Sequence, residues 1–192
     1  YLAFAHGTIT ADRDAPSALS IVDIETFVYA AMASTGLITV VPDFIGFGSS
    51  KEIMHPYYVE ETSALVVVDG LRAVRELMNK EEISSDAELY LSGYSEGGYV
   101  AMATHKYIEG HDLEYFNLRA SFPACGGYDM KGVRDFFFDQ QIYVPPYYMA
   151  YIAESYRTYY DIDSSWASQI FNKPYAQRII NIFDGISDGA QI

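Results

Sequence analysis

The stretch LYLSGYSEGGYVAMA, Leu89 to Ala103, restricts the fold more than any other part of this chain. An apolar strand pattern runs through a glycine-rich corner into a helical pattern, and Gly93-Tyr94-Ser95-Glu96-Gly97 matches G-x-S-x-G at the junction. Glycines two positions either side of the serine relieve the crowding that side chains would cause at so sharp a turn. The pattern predicts a strained corner that presents the hydroxyl of Ser95 above a sheet, as a nucleophile requires.

Segments of strand length alternate with segments of helical spacing along the first two thirds of the chain. Strands are predicted at 1–5, 37–44, 89–95 and 118–125, and helices at 21–34, 60–80 and 97–109. This order predicts an α/β fold with a mostly parallel sheet and crossover helices. In the second helix, apolar residues three apart predict one buried stripe, formed by Leu65, Val68, Leu71, Val74 and Leu77.

The character of the chain changes after Asp129, where aromatic residues become dense around the double proline Pro145-Pro146. Tyrosine occurs 18 times in the chain, and aromatic rings with a polar tip suit a surface that is partly apolar and partly wet. We therefore divide the chain into a partial core, 1–130, and a helical, aromatic-rich cap or lid, 131–192. Ordinary packing of a small helical layer is the alternative interpretation of the tyrosines.

Composition excludes several classes of partner. The net charge of −14 argues against unspecific binding to nucleic acid, because phosphates would be repelled. No apolar run approaches the roughly 20 residues that span a bilayer, so no transmembrane segment is predicted. The sequence shows neither metal-ligand spacing nor a G-x-G-x-x-G loop, and we predict no cofactor and no metal.

The single cysteine, Cys125, is expected to pack inertly at a buried strand end.

Three blocks together resemble the α/β-hydrolases, and within them the secreted lipases and related bacterial esterases. The blocks are HGT at 6–8, PDFIGFGSS at 42–50 and GYSEGG at 93–98. The resemblance implies a serine hydrolase acting on a small-molecule or lipid ester, secreted or periplasmic, with strands three to six and a cap after the sixth strand. It also implies roles for particular residues. Ser95 would be the nucleophile, Glu96 and Thr8 or Gly7 would supply oxyanion N–H groups, and the supporting residues would be His6, Asp43, Gly93, Tyr94, Gly97 and Gly98.

A general base for Ser95 is not evident in the sequence. In this fold the triad follows the order serine, acid, histidine, and no histidine follows His111. His105 lies ten residues beyond Ser95 on the same predicted helix, roughly 15 Å away along its axis. His55 is expected to be a surface or helix-capping residue. We therefore expect the acid and the histidine beyond residue 192, and the first two strands before residue 1.

Three further interpretations follow from the same residues. Asp129 could act as the acid in a variant arrangement, although a structural turn role is favoured. A serine peptidase of the same fold would share every motif described. A catalytically inactive binding module would fit if the triad were truly absent.

Overall fold

A parallel four-stranded sheet forms the centre of the computed structural model, which describes residues 1–143, 147–163, 165–187 and 189. The strands are β1 (Leu2–Ala5), β2 (Thr39–Val40), β3 (Glu88–Tyr94) and β4 (Asn117–Ala124), in the spatial order β2-β1-β3-β4. Helices α1 (Ile24–Ala33), α2 (Glu60–Lys80) and α3 (Glu96–Gly110) connect them. The predicted alternation of strands and helices is confirmed.

The register of the sheet determines which loops meet at its carboxyl edge. Ala5 of β1 lies beside Gly93 of β3, and Tyr94 at the end of β3 lies beside Ala124 of β4. Because the strands are parallel, the loops that follow β1, β3 and β4 emerge at the same edge. The HGT block is therefore next to the G-x-S-x-G corner.

The buried face of α2 differs from the predicted stripe. Leu71 is fully buried, whereas Leu77 is 53% exposed. Each step of three residues covers 300° of a helix, so a row of such steps drifts around the axis instead of staying on one face. The buried positions instead lie three, four or seven residues apart, which keeps them on one face, and they are Ala64, Val67, Val68, Leu71 and Met78, together with Ser63.

Two other expectations are corrected by the structure. The strand predicted at 37–44 is reduced to Thr39–Val40, because Pro42 has no N–H to donate and Phe44 adopts a positive φ of 70°. Cys125, expected to be buried, is exposed. It follows β4, which lies at the edge of the described sheet, so no neighbouring strand in the described residues covers it.

The segment after β4 is helical. It contains α4 (Met130–Phe138), α5 (Tyr147–Tyr159), α6 (Trp166–Ile170) and α7 (Tyr175–Ile182), while Val144 and the double proline lie outside the described residues. Asp129 caps α4 by accepting the N–H of Gly132 at 2.9 Å, which is the structural turn role favoured above. The division into a core at 1–130 and a cap at 131–192 stays a prediction.

No helix in the described part of the chain is both long enough and apolar enough to cross a bilayer.

Replacing Leu71 by alanine should lower the free energy of unfolding by about 2–5 kcal/mol, because a fully buried side chain leaves a cavity. Leu77→Ala is the matched control on the same helix, and its exposed side chain should cost under about 1 kcal/mol. Urea titration of both variants measures the difference. Equal losses would show that the buried face of α2 has been assigned wrongly.

Candidate active site

Ser95 occupies the corner between β3 and α3 in a strained backbone conformation. Its φ of 58° and ψ of −121° lie in a region that non-glycine residues rarely adopt. Two backbone hydrogen bonds hold the corner. The N–H of Ser95 donates to Ala124 O at 2.9 Å, and the carbonyl of Ser95 accepts the N–H of Gly98 at 2.9 Å. Backbone strain of this kind is retained only where surrounding contacts hold it.

Three glycines allow the backbones around the corner to approach one another. A Cβ on Gly93 would lie well within 3.0 Å of Gly97 O, and one on Gly97 would collide in the same way with Ala5 O. A Cβ on Gly98 would collide with Ala124 O. Each position therefore excludes any side chain, which gives a physical reason for the glycines of GYSEGG.

The HGT loop lies directly beside the corner. A Cβ placed on Gly7 would be 3.6 Å from Tyr94 O and 3.8 Å from Ser95 Cβ, so the gap between the loop and the corner is about the width of one methyl group. Thr8 follows Gly7, and its hydroxyl hydrogen-bonds the hydroxyl of Tyr57 at 2.7 Å. The structure thus brings Ser95, Gly7, Thr8 and Glu96 to one edge of the sheet.

His6 is buried between two loops. Its Nδ1 lies 2.7 Å from Gly7 O, its Nε2 lies 3.3 Å from Asp43 O, and its ring stacks on Phe44 with centroids 4.0 Å apart. Burial lowers the pKa of His6 below its ordinary value of 6.5, and this outweighs the raising effect of Glu96. A neutral imidazole has one N–H, and the shorter contact assigns it to Nδ1 donating to Gly7 O.

Asp43 anchors the PDFIGFGSS loop. Its carboxylate accepts the Ser17 N–H at 2.8 Å and the Ser17 hydroxyl at 2.6 Å. A Cβ on Gly48, which has a φ of +58°, would collide with the same carboxylate. The side chain of Asp43 is therefore occupied in fixing the loop against the short helical turn Pro16–Ala18.

The side chain of Glu96 forms an interaction that the sequence analysis missed. Glu96 is 1% exposed, and its Oε1 lies 2.6 Å from Nε2 of His55. The Nδ1 of His55 donates to Ile45 O at 2.7 Å. The expectation that His55 is a surface or capping residue is wrong, because the ring is buried beside Phe47 and Tyr57. Neither side chain stands in a sequence pattern that predicts the pair, since 41 positions separate them.

The remaining histidines have partners of their own. His105 Nδ1 lies 2.7 Å from Ser121 Oγ, and the ring of His111 stacks on Tyr107 at 4.1 Å. Among the residues that the structure describes, none of the four histidines hydrogen-bonds to Ser95.

A cleft of about 670 Å³ opens beside the HGT loop. Its walls include Gly7, Thr8 and Tyr94, which flank Ser95, and the exposed side chain of Tyr94 reaches into solvent there. Charged residues line part of it, namely Arg13, Asp14, Asp23 and Glu25. Of the aromatic residues described in the helical segment, Tyr147 alone contributes to this lining. The cleft is therefore mixed in polarity.

The parallel sheet with the strand–serine–helix corner at its carboxyl edge defines the class of α/β-hydrolases. The particular family follows from the sequence profile of the secretory lipases, which matches residues 12–109, just over half of the chain. The chain belongs to the secretory lipase family. The resemblance drawn from the three blocks is confirmed.

Solved structures of similar fold come from bacteria and yeast. A Legionella pneumophila protein assigned as a hydrolase is 29% identical, with a TM-score of 0.86 over 96% of this chain and 49% of its own. A ligand-bound form of the rice cell wall degrading esterase LipA from Xanthomonas oryzae is 24% identical, with a TM-score of 0.77 over 98% of this chain and 50% of its own. Candida antarctica lipase A is 17% identical, with a TM-score of 0.65 over 97% and 43%.

These structures also allow the length of this chain to be compared with the length of similar proteins. It spans about half the length of the solved structures that it matches. The two structures under 25% identity establish the fold alone. None of the curated proteins compared with the chain matches it significantly.

Gly97→Ala should lower the free energy of unfolding by about 3 kcal/mol, the upper end of the usual cost of overpacking, because its Cβ would overlap a backbone oxygen that cannot move aside as a flexible side chain can. Gly110→Ala is the matched control at the other end of α3, where a Cβ meets nothing within 4 Å. That variant should be neutral or stabilising by up to about 1 kcal/mol. Chemical denaturation compares them, and a mild effect at Gly97 would refute the close approach of β1 and α3.

The pKa of His6 predicts a pH dependence of stability. Below pH 6.5 the unfolded chain binds a proton at His6 that the native state does not, so the free energy of unfolding falls as the pH falls. Wild type should lose up to about 1.4 kcal/mol more than His6→Gln between pH 7.5 and pH 5.5. Denaturant titrations at both pH values measure this, and parallel pH profiles for the two proteins would contradict the burial-induced shift.

Proposed function

We propose that this protein is a serine carboxylic-ester hydrolase, a lipase or esterase, that works through an acyl-enzyme. Ser95 Oγ gives its proton to the general base and bonds to the ester carbonyl carbon, which forms the tetrahedral intermediate. Collapse of this intermediate breaks the bond to the alcohol oxygen, and the alcohol leaves with that proton while the acyl group stays on Ser95 Oγ. Water then releases the acid. The observation that carries the proposal is the strained conformation of Ser95 at the junction of β3 and α3, with the HGT loop beside it at the end of the neighbouring strand β1.

The oxyanion hole is assigned to the backbone N–H groups of Glu96 and Thr8, with Gly7 as the alternative donor in the loop. Glu96 begins α3, so its N–H belongs to the positive end of the helix dipole. Gly7 and Thr8 follow β1, whose last residue, Ala5, lies beside Gly93 of β3, and this places the second donor at the same edge of the sheet. Two fixed N–H groups that face a developing oxyanion are the usual source of stabilisation in acyl transfer.

The general base and the acid are assigned to sequence beyond residue 192. The four histidines are occupied elsewhere: His6 bonds the Gly7 carbonyl, His55 bonds Glu96, His105 bonds Ser121, and His111 bonds Tyr107 O. The relatives are about twice as long as this chain, which leaves room in the family for the missing members of the triad.

The substrate is proposed to be a neutral small-molecule or lipid ester. The cleft beside Gly7 and Thr8 has apolar walls at Phe4, Ile9 and Val28, which suit an acyl or aryl group. The described helices after β4 would then act as a lid, with Tyr147 at the cleft. Export from the cell is proposed in keeping with the secretory lipase family. The net charge of −14 supports the further proposal that the protein has no nucleic acid partner.

Ser95→Ala in the full-length gene product should reduce hydrolysis of a p-nitrophenyl ester by about 10⁴-fold or more, because the nucleophile is lost. It should also abolish covalent labelling by a fluorophosphonate probe, read by intact mass. Ser92→Ala, three residues earlier on β3, is the control and should retain both activities.

Comparison with an aminoacyl amide substrate separates esterase from peptidase action. Faster turnover of the amide than of the ester would replace the proposal with a peptidase. A wild-type protein that is folded and yet neither labelled nor active on either substrate would mean an inactive binding module.

A further inference from the structure

We propose that the segment His55-Pro56-Tyr57 sets the spacing of the oxyanion hole, with His55 acting through Glu96 and Tyr57 acting through Thr8. The inference rests on the proposed function, because it concerns the two N–H donors assigned above. His55 and Tyr57 are positioning residues, since each holds a donor residue through its side chain.

His55 holds the first donor residue through a buried bond. Its Nε2 lies 2.6 Å from Oε1 of Glu96, and both side chains are at most 5% exposed. Glu96 carries its carboxylate and its backbone N–H on the same Cα. Fixing the carboxylate therefore limits rotation of the first turn of α3 and of the N–H that faces the oxyanion.

The hydrogen-bonding capacity of the pair makes His55 difficult to replace. Ile45 O can only accept, so Nδ1 of His55 carries a proton, and one further proton lies between Nε2 and Oε1. The bond exists whether that proton sits on the imidazole or on the carboxyl, and the pair is neutral overall. The other oxygen of Glu96, Oε2, is buried without a partner in the described residues. Loss of His55 would leave the whole carboxyl unsatisfied.

Tyr57 holds the second donor residue. Its hydroxyl hydrogen-bonds Thr8 Oγ1 at 2.7 Å. The ring is 3% exposed, stacks on Tyr151 at 4.5 Å and meets Tyr58 edge-on at 4.8 Å. A ring held on two sides offers a fixed point for the Thr8 side chain, and thereby for the HGT loop.

The two fixed points belong to one rigid turn. The N–H of Tyr57 donates to His55 O at 2.8 Å around Pro56, whose ring fixes its own φ. The PDFIGFGSS loop packs directly on this turn, because a Cβ on Gly46 would lie 2.6 Å from His55 Cα. The separation of the His55 and Tyr57 side chains is thus fixed, and with it the separation of the two donors.

Catalysis is sensitive to that separation. Oxyanion donors act at about 2.7–3.1 Å from the oxygen, and loss of a single donor lowers kcat by roughly 10²–10³-fold. Misplacement of a donor should have a smaller effect of the same kind. Since the negative charge is absent from the bound ester and develops only on the way to the tetrahedral intermediate, kcat should fall while KM changes little.

The test uses the full-length gene product with His55→Gln, Tyr57→Phe, Thr8→Val and the double variant Tyr57→Phe/Thr8→Val. The measurements are kcat and KM on a p-nitrophenyl ester, the rate of fluorophosphonate labelling, and the melting temperature. His55→Gln and Tyr57→Phe should each lower kcat and the labelling rate by about tenfold or more, with KM within about twofold. The double variant should be no worse than Tyr57→Phe alone, because both changes remove the same bond.

Matched controls separate positioning from general damage to the fold. Tyr115→Phe removes a hydroxyl that donates to Ser85 O at 2.8 Å, and His105→Gln removes the bond to Ser121. Both lie away from the donors and should keep kcat within about twofold. If His55→Gln fails to fold, the double-mutant cycle of Tyr57→Phe and Thr8→Val still tests the inference.

Failure of this inference and failure of the proposed function would give different results. An active, labelled wild type whose folded variants keep kcat, or whose Tyr57 and Thr8 effects simply multiply, overturns this inference alone. A wild type that is neither labelled at Ser95 nor active overturns the proposed function and this inference with it.

Discussion

The close approach of three backbones at Gly93, Gly97 and Gly98 is the constraint on which the rest of the structure depends. The carbonyl of Ala5 occupies the space that a side chain at position 97 would need, and the carbonyl of Ala124 does the same at position 98. Strand β1, strand β4 and helix α3 can therefore meet only with glycine at these positions. Their meeting forces the serine between them into its strained conformation.

A buried polar layer lies beneath this corner. His6 donates to Gly7 O of the HGT loop and stacks on Phe44 of the next loop, and His55 joins the helix start to Ile45 of that same loop. The aromatic rings of Phe44 and Tyr57 pack around the imidazoles and keep water away. Hydrogen bonds in such surroundings are stronger than in water, and unpaired groups are costlier, so the layer fixes the loops in one arrangement.

Much of the architecture could be predicted because it follows from local sequence patterns. The order of strands and helices follows from runs of apolar residues, and the corner follows from glycine spacing around Ser95. Exposure at Leu77 and Cys125 could not be predicted in the same way, since it depends on the phase of a helix and on which strand lies at the edge. The His55–Glu96 bond could not be predicted from the sequence because it joins residues 41 positions apart, and only the folded sheet brings their elements together.

The crowding at the corner also determines how the protein could be redesigned. A mutagenesis library aimed at substrate preference gains nothing at positions 93, 97 and 98, where every replacement meets backbone. Tyr94 is the opposite case, since it is 60% exposed, adjoins Ser95 and lines the neighbouring cleft. Within the corner, position 94 can therefore be varied without disturbing the glycines that hold Ser95 in place.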